Sequence, residues 1–205
     1  MQESELLKLA QIAEGELRFE DAEAFLLKAL AESAVDELRE FIYDRLFFIY
    51  SNPLNEDLER AEWCLVMKED IRMSAENALQ WTQFELFCRL APEEAAKWAD
   101  TAIVRAEHSD DVSALYSAAS LRGFIAADSK DRITVWLVLR KLLPLIDKDV
   151  PFGDAIAFFE KARNLGDDIR ETIERVSLHI APRIEDPEFR ARALQLSEPK
   201  PTLPA

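Results

Sequence analysis

A chain of 205 residues, 49% apolar and 32% charged, is long enough to bury a sizeable core and too apolar to be intrinsically disordered. Its 4 glycines are too few for the many tight turns of an all-β protein, and abundant Ala, Leu and Glu favour helix. A net charge of −15 repels phosphate backbones and anionic lipid, which disfavours nucleic-acid and membrane-surface partners.

The charge is unevenly placed. Residues 1–120 hold 26 acids and 11 Lys or Arg, whereas residues 121–205 hold 14 of each. The N-terminal part therefore carries the whole imbalance, and its field suits a basic protein or peptide partner. The first residues, MQESELLKLAQIAEGEL, have acids where a secretory leader needs a basic stretch. No apolar run approaches the roughly 20 residues that cross a bilayer. Cys64 and Cys88 lie among apolar neighbours, as buried free thiols do, and a reducing, cytoplasmic location is expected.

Apolar residues recur at three- and four-residue spacing along nearly the whole chain, which predicts eleven helices. They run near 3–16, 20–33, 35–50, 55–68, 74–90, 92–107, 110–127, 130–146, 152–164, 167–180 and 187–196, with 197–205 as a proline-rich disordered tail. Asn55, Ser74, Ser109 and Ser129 each precede acids, as a capping residue at a positive helix end does. Pro92 and Pro187 suit first helical turns, and Gly166 suits a helix stop. The stretch Ile133–Leu139 (ITVWLVL) is the one segment with strand composition. With Arg140 and Lys141 extending it and no second strand to pair with, it reads as a centrally buried helix, apolar nearly all round. Connections of two to five residues force neighbouring helices to run antiparallel.

Within the first hairpin, Leu6, Leu9, Ala10, Ala13, Ala22, Leu26 and Ala29 place small residues beside a large one on facing stripes. Ala61 and Leu65 in ERAEWCL, and Ala95, Ala99 and Ala102 in EEAAKWADTAI, echo that pattern. This pattern resembles the tetratricopeptide repeat, whose period is about 34 residues. The resemblance covers about 110 residues and departs at three points: Leu17 stands where the family has a turn glycine, the anchors Ala22 and Ala61 lie 39 residues apart against about 34 for the repeat, and Lys68 stands at a small-residue position. It implies an all-α, right-handed stack of antiparallel helical hairpins. Residues 1–110 read as repeat-like hairpins and 111–196 as irregular hairpins without a repeat, together forming one domain.

Residues with catalytic spacing are scarce. His108 and His179 are far apart, and neither has a metal-ligand spacing to another His or Cys. There is no Gly-rich phosphate loop, no nucleophile elbow and no calcium loop, so no cofactor or metal is expected. In a repeat array the first helix of each hairpin lines the concave groove. That placement makes Gln11, Glu14, Tyr43, Tyr50, Asn77 and Gln80 the candidate binding residues. The family's basic carboxylate-binding positions fall on Ser4, Leu7, Gln11 and Glu14 here, none of them basic, so a carboxylate clamp is not expected. Glu14, Glu16, Glu20 and Asp21 are placed at a helix–helix turn, outside the core. The reading is a non-enzymatic interaction module that uses a groove or acidic face. Two others stand beside it: a dedicated acidic partner protein, such as a secretion chaperone or toxin immunity protein, and a helical enzyme with a site assembled from dispersed carboxylates and His108. Composition does not set the oligomeric state.

Overall fold

The computed structural model describes residues 3–198; of the tail expected at 197–205, Ser197 ends the last helix and the part beyond residue 198 lies outside the described residues. Eleven α-helices form, with no strand among the described residues. They are α1 (Glu3–Gly15), α2 (Phe19–Glu32), α3 (Asp36–Ser51), α4 (Leu58–Ile71), α5 (Ala75–Gln83), α6 (Pro92–His108), α7 (Val112–Asp128), α8 (Arg132–Leu142), α9 (Ile156–Ala162), α10 (Asp167–Ile180) and α11 (Pro187–Ser197). Three expected helices are shorter than their spacing implied. α5 passes into a π turn at Phe84–Cys88, α8 ends in a 3-10 turn at Leu143–Leu145, and a 3-10 turn at Phe152–Ala155 precedes α9.

Local chemistry sets the starts. Ser74 accepts a hydrogen bond from Asn77 N–H at 3.0 Å, as expected. At three other starts the cap lies later than the one expected. Asp57, Asp111 and Asp131 accept from Arg60, Ala114 and Thr134 N–H at 3.1, 2.9 and 3.1 Å. A carboxylate both accepts the orphan N–H and opposes the helix dipole, so it outcompetes the neighbouring Asn or Ser. Gly166 stands directly before α10, and a Cβ there would fall 3.1 Å from the Arg132 guanidinium carbon.

The helices alternate between two layers, with α1, α3, α5, α7, α9 and α11 in one and α2, α4, α6, α8 and α10 in the other. Successive helices pack on one another from α1 to α8, and α9 packs on α7. Small residues permit the close approach: Ala10 and Ala13 of α1 and Ala22 and Ala29 of α2 are fully buried around Leu26. Burying a leucine there contributes roughly 2 kcal/mol. In α7, a Cβ on Gly123 would fall 2.8 Å from the Phe158 ring, so α7 and α9 pack at glycine distance. Two apolar clusters, one spanning Leu6–Phe84 and the other Ala78–Leu196, meet at Trp98. There the Trp98 ring stacks on Trp81 with centroids 4.9 Å apart.

The stack continues past residue 110, where the sequence showed no repeat. Ion pairs join equivalent outer helices of successive hairpins: Arg60 to Glu23, Arg105 to Glu69, Lys141 to Glu107, and Arg132 to Asp168, separated by 37, 36, 34 and 36 residues. The stacking period persists although the small-residue signature fades.

The Ile133–Leu139 segment is helical, but it is not buried all round. Val135, Val138, Leu139 and Leu142 are buried, whereas Ile133 is 76% and Leu137 58% exposed. α8 is an outer-layer helix packed mainly on α7, so only one face is covered. The turns are closed by residues with left-handed backbone: Leu17, Leu90, Asp110 and Lys130 at φ 58, 54, 54 and 59°. At Leu17 the following N–H, of Arg18, bonds the Ala13 carbonyl at 2.8 Å, which is the Schellman closure that glycine makes without strain.

Candidate protein-binding face

The inner layer presents one face of α1, α3, α5 and α7 to solvent. On α3 the core stripe is Ile42, Tyr43, Leu46, Ile49 and Tyr50. The opposite stripe, Phe41, Asp44, Arg45 and Phe48, follows three- and four-residue spacing and faces out. Phe41 and Phe48 are each 50% exposed, and Phe87 at the end of the π turn is 58% exposed. Between α1 and α3 lies a cleft of about 350 Å³, lined by Leu7, Lys8, Gln11, Glu14, Phe41 and Arg45. Further along, Leu79, Gln80, Gln83, Ser117, Leu121 and Asp154 line a second cleft of about 370 Å³ between α5 and α7. Exposed rings beside concave surface, with polar groups interleaved, are the make-up of a protein-binding site.

Ion pairs stiffen this face from beneath. Glu14 is nearly buried and pairs with Arg45, whose Nε donates to its carboxylate at 3.3 Å. The same guanidinium lies 5.6 Å from the Phe48 ring centroid and fixes that ring's surroundings. Lys68, only 2% exposed, reaches from α4 to donate to Asp44 at 2.7 Å and to the Gln80 amide oxygen. The Gln80 amide nitrogen in turn donates to Asp44. A buried ammonium is tolerated because two acceptors meet it.

Of the six candidate binding residues, the structure leaves Gln11 free on the groove surface. Gln80 lines the groove but is tied into the Lys68 network. Glu14 lies at the cleft but is committed to Arg45, and its near burial corrects its assignment to an exposed turn with Glu16, Glu20 and Asp21. Tyr43 and Tyr50 are not groove residues. Each is 2% exposed, Tyr43 meeting Trp63 edge-on at 5.3 Å and Tyr50 lying beneath the Arg60 guanidinium. Burial, with Glu23 nearby, pushes the Tyr50 hydroxyl well above its ordinary pKa. Asn77 is buried as well. Its side-chain amide donates to the Arg72 and Lys68 carbonyls at 2.7 and 3.3 Å, so it closes the end of α4 and is not available to a ligand.

The exposed rings, which sequence reasoning ranked below Tyr43 and Tyr50, carried a usable signal. Phe41 and Phe48 share a stripe with Asp44 and Arg45, whereas the Tyr43–Tyr50 stripe borders Leu46 and Ile49. The stripe that holds the charges is the one facing water. Two basic groups, Lys8 and Arg45, also line the first cleft, one residue away from the inner positions assigned to α1 or on the neighbouring helix. His108 lies in the last turn of α6, its Nδ1 2.7 Å from the Val104 carbonyl. Among the described residues, no group of three or more His, Cys, Asp or Glu side chains is arranged to hold a metal, and no helix is long and apolar enough to cross a membrane.

No family model matches the chain, and no curated protein matches it. Among solved structures, it is similar to PilW, described as a widely conserved type IV pilus biogenesis factor. The alignment covers 93% of this chain and 90% of that one, with a TM-score of 0.53 and 17% identity. The likeness is one of fold. It extends over the later helices as well as the first hairpins, in keeping with a hairpin stack that runs the length of the described chain.

Proposed function

We propose that the chain is a non-enzymatic protein-interaction module. A segment of a protein partner lies along the face of α1, α3, α5 and α7, with Phe41, Phe48 and Phe87 as apolar anchors and Gln11 and Gln83 as polar contacts. The observation that carries this reading is the exposure of three large rings on one layer of the stack, since soluble proteins cover such surface unless a partner does so. The carboxylates nearest to them, Glu14 and Asp44, are held in ion pairs with Arg45 and Lys68, so the face offers rings and amides rather than reactive groups. The acid excess of residues 1–120 favours a basic partner and a salt-sensitive association rate. The fold, shared with a pilus biogenesis factor, is compatible with an adapter role but does not assign the process.

The test is capture of a partner on the immobilised chain, identification of the prey, and measurement of its affinity for the wild type and for Phe41→Ala/Phe48→Ala. The expected loss is tenfold or more. An unchanged affinity overturns the assignment of this face.

A further inference from the structure

We propose that the outer-layer cleft between α8 and α10 is a second docking site, which takes an acidic amphipathic helix of a partner protein. The cleft is about 530 Å³, lined by Trp136, Leu143, Ile146, Thr172, Val176 and His179. Ile133 and Leu137 continue its apolar surface along α8, at three- and one-residue steps from Trp136, and Leu178 is exposed on α10. A trough between two helices with an apolar floor is the geometry that receives an amphipathic helix.

Charge commits the occupant. In a chain of net −15, the bases near this cleft are mostly neutralised, Arg132 by Asp168, Lys141 by Glu107 and Arg170 by Asp167, and the His179 Nε2 lies 2.9 Å from an Asp147 carboxylate oxygen. Arg140 and Arg175 are exposed and have no acidic partner among the described residues. Arg140 lies one turn beyond Trp136 on the same face of α8, and Arg175 lines the cleft from α10. Arg175 Nε donates to the Glu171 backbone carbonyl at 3.3 Å; two guanidinium groups without an ion pair beside a half-buried tryptophan are the residue types that dominate binding energy, and their sign selects an acidic ligand. A second copy of this chain is the less suitable occupant, because two molecules of net −15 repel each other.

The probe is a synthetic capped helical peptide of about four turns, with Leu at positions i, i+3, i+4 and i+7 and Glu with Ala elsewhere. A peptide with Lys in place of each Glu is the comparator. Fluorescence anisotropy gives the affinity, and amide shift mapping on the full chain gives the site. The expected result is saturable binding of the Glu peptide, with shifts concentrated in α8 and α10. Arg140→Glu/Arg175→Glu should weaken it at least tenfold at unchanged melting temperature, and Phe41→Ala/Phe48→Ala should leave it intact. That last variant separates this proposal from the inner-layer reading. Absence of saturable binding, equal binding of the Lys peptide at this cleft, or insensitivity to the two arginines overturns the proposal. So does a wild-type dimer that Arg140→Glu/Arg175→Glu dissolves, since the cleft would then belong to a second copy.

Discussion

Lys68 occupies a position where the repeat pattern calls for a small residue, and the structure makes its accommodation measurable. The residue is 2% exposed, and its ammonium meets Asp44 at 2.7 Å and the Gln80 amide oxygen. Removing one member of a fully buried pair costs about 3–5 kcal/mol, because the other charge is left uncompensated. The Asp44 side chain is 41% exposed and Gln80 remains as an acceptor, so Asp44→Ala should cost less, about 2–3 kcal/mol. Lys68→Met removes the charge while keeping the length of the stem, and should lie within about 1 kcal/mol of the wild type. In the Lys68→Met background, Asp44→Ala should then cost less than about 1 kcal/mol, for a coupling of about 2 kcal/mol. Urea unfolding followed by circular dichroism at constant m-value reads all four proteins. Additive effects, or an Asp44→Ala change below about 0.5 kcal/mol, would refute the claim that Asp44 offsets a buried cation.

Three further outcomes follow from the packing. Leu26→Ala should lose roughly 2–5 kcal/mol in the same assay, because Leu26 is fully enclosed between α1 and α2. Leu17→Gly and Leu90→Gly should each raise stability by up to about 1 kcal/mol, since both leucines are exposed and hold a left-handed backbone that glycine adopts freely; a loss at either turn would contradict that geometry. Burial pushes the Cys64 thiol up to about 12 and also raises Cys88, which is less deeply covered. Native-state iodoacetamide should therefore label Cys88 first and slowly, and reach Cys64 only on unfolding, as mass spectrometry of timed samples can show.

The all-helical stack was legible in the sequence because every level agreed. Apolar spacing, capping acids and first-turn prolines at Pro92 and Pro187 mark the same elements that form. The repeat beyond residue 110 was not legible, because its contacts are kept by ion pairs such as Arg132–Asp168 and by Gly123 against Phe158, and neither leaves a small-residue stripe. α8 misled for a related reason: Ile133 and Leu137 are apolar yet face outward, so composition alone implied burial. At the binding face the sequence marked α3 as aromatic but did not say which rings were inside. Placement on a first helix of a hairpin put Tyr43 and Tyr50 in the groove, yet their stripe is the one that packs on α4, while Phe41 and Phe48 flank Arg45 at the surface. Asn77 misled because a buried amide that satisfies two carbonyls looks, in sequence, like a polar surface residue.

The central claim, that the inner-layer rings contact a protein partner, is tested most directly by site-specific photo-crosslinking. Benzoylphenylalanine would be placed singly at Phe41, Phe48 and Phe87, with exposed Val104 on outer-layer α6 as the reference position. Irradiation with the identified partner should give crosslinked product from positions 41, 48 and 87 well above that from position 104. Equal yields at all four positions, or product from position 104 alone, would contradict the assignment of the α1–α3–α5–α7 face.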